Sequence, residues 1–319
     1  MGEIRTSHRL VKPIHLVTAG FAVASACTAA VLISQFTSKS PPVPSSCPQQ
    51  WSGRAPGGWV PAAAGIGGVE ESLVPGDPIQ ALICAYPGDN TRPGGERLAG
   101  SRTLTDQARA MARDLSYLPV TATAAKPLCT LMGGPMTNYL IRFAYPNGEA
   151  LWVGTAEEVN SCVQTTNGTA LTNSYVGKGI TAAYQKGIWR LVQPEDPCHG
   201  SVGRRGQNEQ MVPEGPGKVL VCRHDRYGVR SPRLEYGESV AENLATALNS
   251  LETTTSTHQC QGTGAGPDDE FRLLFNYREG PPADVTIVTN CEPAIDNGLL
   301  QADLDGSVHD RIIRLAPPA

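Results

Sequence analysis

Two stretches of the chain carry the same alternation of large apolar and intervening residues. Tyr139, Ile141, Phe143 and Tyr145 alternate with Leu140, Arg142 and Ala144, and Phe271, Leu273, Phe275 and Tyr277 repeat the pattern at an offset of 132. A period of two sets the four large residues of each stretch on one face of a strand. Each strand runs into a glycine, Gly148 or Gly280, and then into a second apolar run, Leu151–Val153 or Val285–Val288. Both stretches therefore read as hairpins.

Other landmarks recur around them. Val74-Pro-Gly-Asp-Pro-Ile-Gln-Ala-Leu-Ile-Cys84 aligns without a gap on Val212-Pro-Glu-Gly-Pro-Gly-Lys-Val-Leu-Val-Cys222, with five identities in eleven. Thr103-Leu-Thr-Asp106 and Ser239-Val-Ala-Glu242 both have the form of a capping box, a hydroxyl followed three residues later by a carboxylate. Behind them Leu104, Ala108, Met111 and Leu115, and Val240, Leu244, Ala247 and Leu251, fall at i, i+4, i+7 and i+11. That spacing is one face of an amphipathic helix. After the hairpins come Asn167-Gly168 and Asn297-Gly298. Closing helices are predicted from Ile180, Ala183, Tyr184, Ile188 and Leu191, and from Val308, Ile312 and Leu315. Each copy reads strand, helix, strand, strand, helix, with room for a short extra strand. Helices set apart from a small, mostly antiparallel sheet define an α+β fold, here written twice, over 47–193 and 198–319.

Cysteines fit the same frame. Outside the N-terminal apolar run the chain has Cys47, Cys84, Cys129 and Cys162, then Cys198, Cys222, Cys260 and Cys291. Even numbers at related spacings read as disulfides formed in an oxidising compartment. A hairpin brings the start of one strand beside the end of the next, which favours Cys129–Cys162 and Cys260–Cys291. Cys47–Cys84 and Cys198–Cys222 remain. Four cysteines allow three pairings in each copy, so spacing alone leaves the connectivity open.

The N-terminus predicts where the chain lives. Residues 14–36, Ile14 to Phe36, hold no Asp, Glu, Lys or Arg, long enough to cross a bilayer as a helix. Arg5, Arg9 and Lys12 precede them in a tail of residues 1–13, and only Lys39 follows closely. The positive-inside rule then leaves the tail in the cytoplasm and the rest outside. Cleavage at Ala24-Ser25-Ala26 and lipidation at Cys27 are competing readings of the same run. Residues 37–46 form a Pro/Ser stalk, and 51–76 an irregular segment whose Trp51 and Trp59 are expected to pack onto the folded part.

Charge narrows the partners. The tail's net +2 within a chain of net charge −4 leaves −6 for the remainder, which argues against nucleic acid. The expected partners are the membrane through the chain's own anchor and an envelope protein or wall ligand outside it. The Cys-Pro at 47, the strand ending Ile83-Cys84-Ala-Tyr86 and the hairpin ending in Cys resemble uncharacterised membrane-anchored secreted proteins of actinobacteria. That resemblance implies a host and no activity; at the matching positions the second copy has Cys198-His199 and Cys222-Arg-His224.

No catalytic motif emerges: there is no G-x-S-x-G, no H-E-x-x-H, and no histidine in the first copy to act as a base. No cofactor motif emerges either. His199, His224 and His258 flank cysteines and form a candidate metal set, with surface polar residues as the competing reading. Asp268-Asp269-Glu270 is expected to be a solvated loop, and Asp303 to Asp310 a turn with a capping box at Ser307. Arg204-Arg205 is too short for a polyanion site. The sequence supports a non-catalytic, tethered ectodomain with a binding cleft between its copies. A carboxylate-dependent hydrolase of wall material and an extracellular metal-binding protein are the alternatives.

Overall fold

The structure is a computed structural model that describes residues 45–51, 60, 65–89, 94–121, 134–157, 165–191, 195–224, 233–262 and 269–316. The tail, the apolar run, nearly all of the stalk, Trp59, Cys129, Cys162 and Asp268 lie outside the described residues. Among those described, no helix is long and apolar enough to cross a membrane.

A first half comprises β1 (Gln80–Asp89), β2 (Gly100–Leu104), α1 (Ala108–Ser116), β3 (Pro135–Ala144), β4 (Ala150–Glu157), β5 (Thr165–Thr166), β6 (Leu171–Thr172) and α2 (Gly177–Lys186). A second half follows a single 3-10 turn at Pro197–His199. It comprises β7 (Lys218–His224), β8 (Leu234–Gly237), α3 (Glu238–Asn249), β9 (Thr253–Thr255), β10 (Gln261–Gly262), β11 (Glu270–Asn276), β12 (Ala283–Val288), β13 (Cys291–Glu292), β14 (Ile295–Asp296), β15 (Leu300–Ala302) and α4 (Gly306–Leu315). The fold is mixed α+β with antiparallel sheets. One sheet is ordered β2-β1-β3-β4-β5-β6 and the other β8-β7-β11-β12-β14-β15-β9, while β10 and β13 form a separate ribbon.

The alternating strands place their large residues as the pattern requires. Tyr139, Ile141 and Phe143 enter a core with Met111, Leu115 and Ile180 from the helices. Phe271, Leu273 and Phe275 enter a second core with Leu244, Leu248, Val308 and Ile312. The last aromatic of each set is anchored by its hydroxyl: Tyr145 donates to the Pro75 carbonyl and Tyr277 to that of Pro213, at 2.8 and 2.6 Å. Gly148 and Gly280 adopt left-handed φ of 87° and 78°, which a glycine reaches without Cβ strain.

The helix starts differ from the capping boxes. Thr103 belongs to β2, paired with Leu82 of β1, and α1 begins at Ala108 after an N-cap Gln107 that makes no side-chain cap bond. The sheet ladder satisfies this backbone first, so the hydroxyl has no helix to cap. In the second half β8 runs straight into α3, whose N-cap is Gly237, and Ser239 sits inside the helix. The buried face of α3 turns accordingly to Ala241, Leu244, Ala245 and Leu248, with Val240, Ala247 and Leu251 at its margin. Ile188 lies beyond the end of α2 and is exposed, because Gly187 at φ 72° ends that helix. At α4 the cap is Asp305, whose carboxylate accepts from the Val308 N–H at 2.7 Å, rather than Ser307.

Among the described residues three disulfides are present: Cys47–Cys84, Cys198–Cys222 and Cys260–Cys291, with Cα separations of 5.7, 5.8 and 5.0 Å. The first fastens the N-terminal segment across the outer face of the first sheet. There Trp51, Val60, Tyr86, Leu140 and Trp152 form a smaller apolar cluster.

Candidate functional site

The ladders that build the second sheet also build one wall of a cleft. Thr286 of β12 stands opposite Asp296 of β14, and Asp284 lies two residues along the same strand, so all three share a sheet face. Val285, Ile287 and Ile295 take the other face, into the core. A second wall comes from the first half, from Pro119–Thr121 and from Leu171–Tyr175. The segment Ser201–Gly203, with Gln207 and Asn208, runs between them. The cavity has a volume of about 770 Å³, within the usual range for small-molecule sites.

The halves meet beside this cleft through specific contacts. The Arg205 N–H donates to the Tyr117 carbonyl at 2.7 Å, and the Ser174 hydroxyl donates to that of Val202. The Arg204 guanidinium lies between two rings, 3.7 Å from the Tyr277 centroid and 4.3 Å from that of Tyr117. Its Nη1 donates to the carbonyls of Glu279 and Pro281, both at 2.8 Å. Arg204 is 7% exposed, and burial lowers its pKa against the two tyrosines, which favour the charge. The Arg204-Arg205 pair is thus a fastening between halves.

Asp284 is the most unusual group in the cleft. Burial pushes its carboxyl above the usual range, opposed by Arg272 and by the Ser201 N–H. Oδ2 accepts that N–H at 3.2 Å and lies 3.6 Å from Arg272 Nη1. Oδ1 is buried and has no hydrogen-bond donor among the described residues. Asp296 is better served: Oδ1 accepts from the Gly298 N–H and Oδ2 from the Ser256 hydroxyl.

The two halves differ at this face. Matching the hairpins by register, Leu140 corresponds to Arg272 and Trp152 to Asp284. In the first half those positions belong to an apolar cluster with Cys84. In the second they carry an ion pair beside Cys222. This exchange is visible in the sequence at the 132-residue offset, once the hairpins are aligned, yet neither Asp284 nor Asp296 was picked out by motif.

The sequence-selected residues fall elsewhere. His199 is exposed and pairs through Nδ1 with Asp196 at 3.1 Å. His224 ends β7 opposite Glu270. His258 is exposed at φ 54°, its Nδ1 3.3 Å from the Ser256 hydroxyl. Among the described residues no three His, Cys, Asp or Glu side chains gather as a metal group. Asp269 is not in a solvated loop: it is buried and paired with Arg223, Oδ2 to Nη2 at 2.6 Å and Oδ1 to Nε at 3.3 Å. Arg223 extends from β7, an inner strand of its sheet, and needs that countercharge, which draws Asp269 inward.

No protein-family model, curated protein or solved structure matches the chain.

Proposed function

We propose that this chain is a membrane-tethered, extracytoplasmic protein of two duplicated α+β units that binds an envelope component in the cleft between them, without transforming it. The observation that carries this reading is the cleft itself, walled by both halves and lined by hydroxyl, amide and carboxylate groups beside apolar ones. The three disulfides support an oxidising compartment, and the apolar run at 14–36 supports the tether. Shared strand order and the paired Tyr–Pro contacts support duplication.

A photo-reactive amino acid placed at Asn208 of the full-length chain in its host tests the reading. Asn208 lines the cleft, whereas the exposed Glu242 on α3 does not. An envelope component captured from position 208 and absent from position 242 is expected; identical products from both would overturn it.

One observation favours the hydrolase as a second reading. Two carboxylates share the cleft wall, one of them raised by burial, as a general acid would be. Under that reading the full-length protein releases soluble fragments from purified walls, and Asp284→Asn with Asp296→Asn abolishes release. Activity that survives both substitutions would remove it.

A further inference from the structure

We infer that the cleft recognises a primary ammonium group, held against the wall formed by Asp284 and Asp296; the inference rests on the cleft being the binding site. Of the described residues lining the cavity, the charged ones are these two aspartates, with no Lys, Arg or His among them. Arg272 lies 3.6 Å from Asp284 Oδ2 and also donates a hydrogen bond from Nε to Glu270 Oε1 at 3.1 Å. With Arg272 offsetting Asp284, the charge left on the cavity lining is that of Asp296, on one side of a partly desolvated cavity. Such a wall repels an anionic ligand and favours a cation.

The fold does not require the charge at Asp284. At the positions matching Arg272 and Asp284 the first half packs Leu140 and Trp152, and six strands still follow in the same order. A carboxylate set where its counterpart is tryptophan carries a desolvation cost that the architecture has no need of, and such groups gather at functional sites. Around the aspartates, Thr121, Thr172, Thr286 and Asn173 line the cavity with hydroxyl and amide groups, and Leu171 and Leu299 add apolar surface. An ammonium flanked by amides or hydroxyls fits that lining. Its source is either a diamino-acid side chain of a peptide or a de-N-acetylated amino sugar.

Binding by the full-length protein in detergent to two pairs of probes tests this. One pair is N-acetyl-Ala-Lys-Ala-amide and its Nε-acetylated twin. The other is the glucosamine trimer and the N-acetylglucosamine trimer. At least one charged probe is expected to bind 10-fold or more tighter than its acetylated twin, the winning pair identifying the source. Asp296→Asn, checked for an unchanged melting temperature, is expected to erase the difference. Twins that bind equally overturn the ammonium assignment while the cleft reading stands. Failure of both charged probes overturns it too, and cross-linking from Asn208 then shows whether the cleft reading falls with it.

Discussion

Asn167 and Asn297 occupy corresponding places in the two halves and make the same bonds. Asn167 Nδ2 donates to the carbonyls of Val69, Ser72 and Leu73, and its Oδ1 accepts from the N–H groups of Thr169 and Ala170. Asn297 Nδ2 donates to those of Gln207, Gln210 and Met211, and its Oδ1 accepts from Leu299 and Leu300. Each asparagine thus closes its own turn and pins the loop that leads into the first strand of its sheet. In the second half that loop also carries Arg204 and borders the cleft.

Replacing Asn297 with Ala leaves buried carbonyls without donors, at a cost of roughly 2–3 kcal/mol. Asn167→Ala is expected to cost a similar amount, read from denaturant midpoints. A loss below about 0.5 kcal/mol at either position would show that water replaces the amide there.

Gly280 makes a sharper test of how the halves are joined. A Cβ built on it would lie 2.5 Å from Tyr117 Cδ2, while one on Gly148, its counterpart, meets nothing within 4 Å. Both have positive φ, so both alanine variants carry about 1–2 kcal/mol of left-handed strain. Gly280→Ala is expected to cost roughly 1–3 kcal/mol more than Gly148→Ala through overpacking. It also disturbs the Tyr117 ring under Arg204 and so the shape of the cleft. Equal costs for the two variants would mean that Tyr117 moves aside freely.

The Arg223–Asp269 pair is buried at 9% and 10% side-chain exposure, and Arg223 Nη1 also donates to the Ala316 carbonyl at the end of α4. Asp269→Ala strands the guanidinium and is expected to cost about 3–5 kcal/mol. Replacing both partners with apolar residues should recover part of that loss. A double variant no better than the single one would show that the bond to Ala316 dominates.

The pH dependence of stability follows from opposite shifts. Asp284 and Asp114 have carboxyls raised by burial. The native state therefore holds their protons to higher pH than the unfolded chain, and stability falls as pH rises from about 4 through their folded values. Asp284→Asn removes one such group, so the variant gains relative to the parent as pH rises across that window. A constant difference between the two proteins would contradict the assignment. Asp305 acts in the other sense. Its bonds to Val308 and Ser307 lower its pKa, so the α4 cap is intact above the ordinary carboxylate range and is lost as pH falls through the depressed value.

Removing Cys198 and Cys222 together opens a loop of 24 residues and is expected to cost about 3–4 kcal/mol in the chain-entropy model. The bridge lies beside Arg272 and Asp284, on the outer face of the sheet. If its role is local, double replacement with Ser also weakens whatever the cleft binds, measured beside the same ligand on the parent.

What the sequence determined by itself was local. Period-two alternation set which residues of β3 and β11 face the core, because successive side chains of a strand alternate sides whatever surrounds it. The glycines at 148 and 280 marked turns because a left-handed φ suits few other residues. The α+β class followed from the same short-range rules, which favoured the Cys260–Cys291 bridge without fixing it. Tertiary structure decided everything that depends on chain segments meeting. Thr103 looked like a cap and became a strand residue, because Leu82 offered its backbone a ladder. Asp269 looked solvated and was drawn inside by Arg223, 46 residues away. The cleft is assembled from Thr121, Leu171, Ser201, Asp284 and Asp296, none within hydrogen-bonding range of all the others by sequence alone. Only the meeting of the two halves through their loops could bring their side chains to a common cavity, since no local rule fixes distances between residues that far apart along the chain.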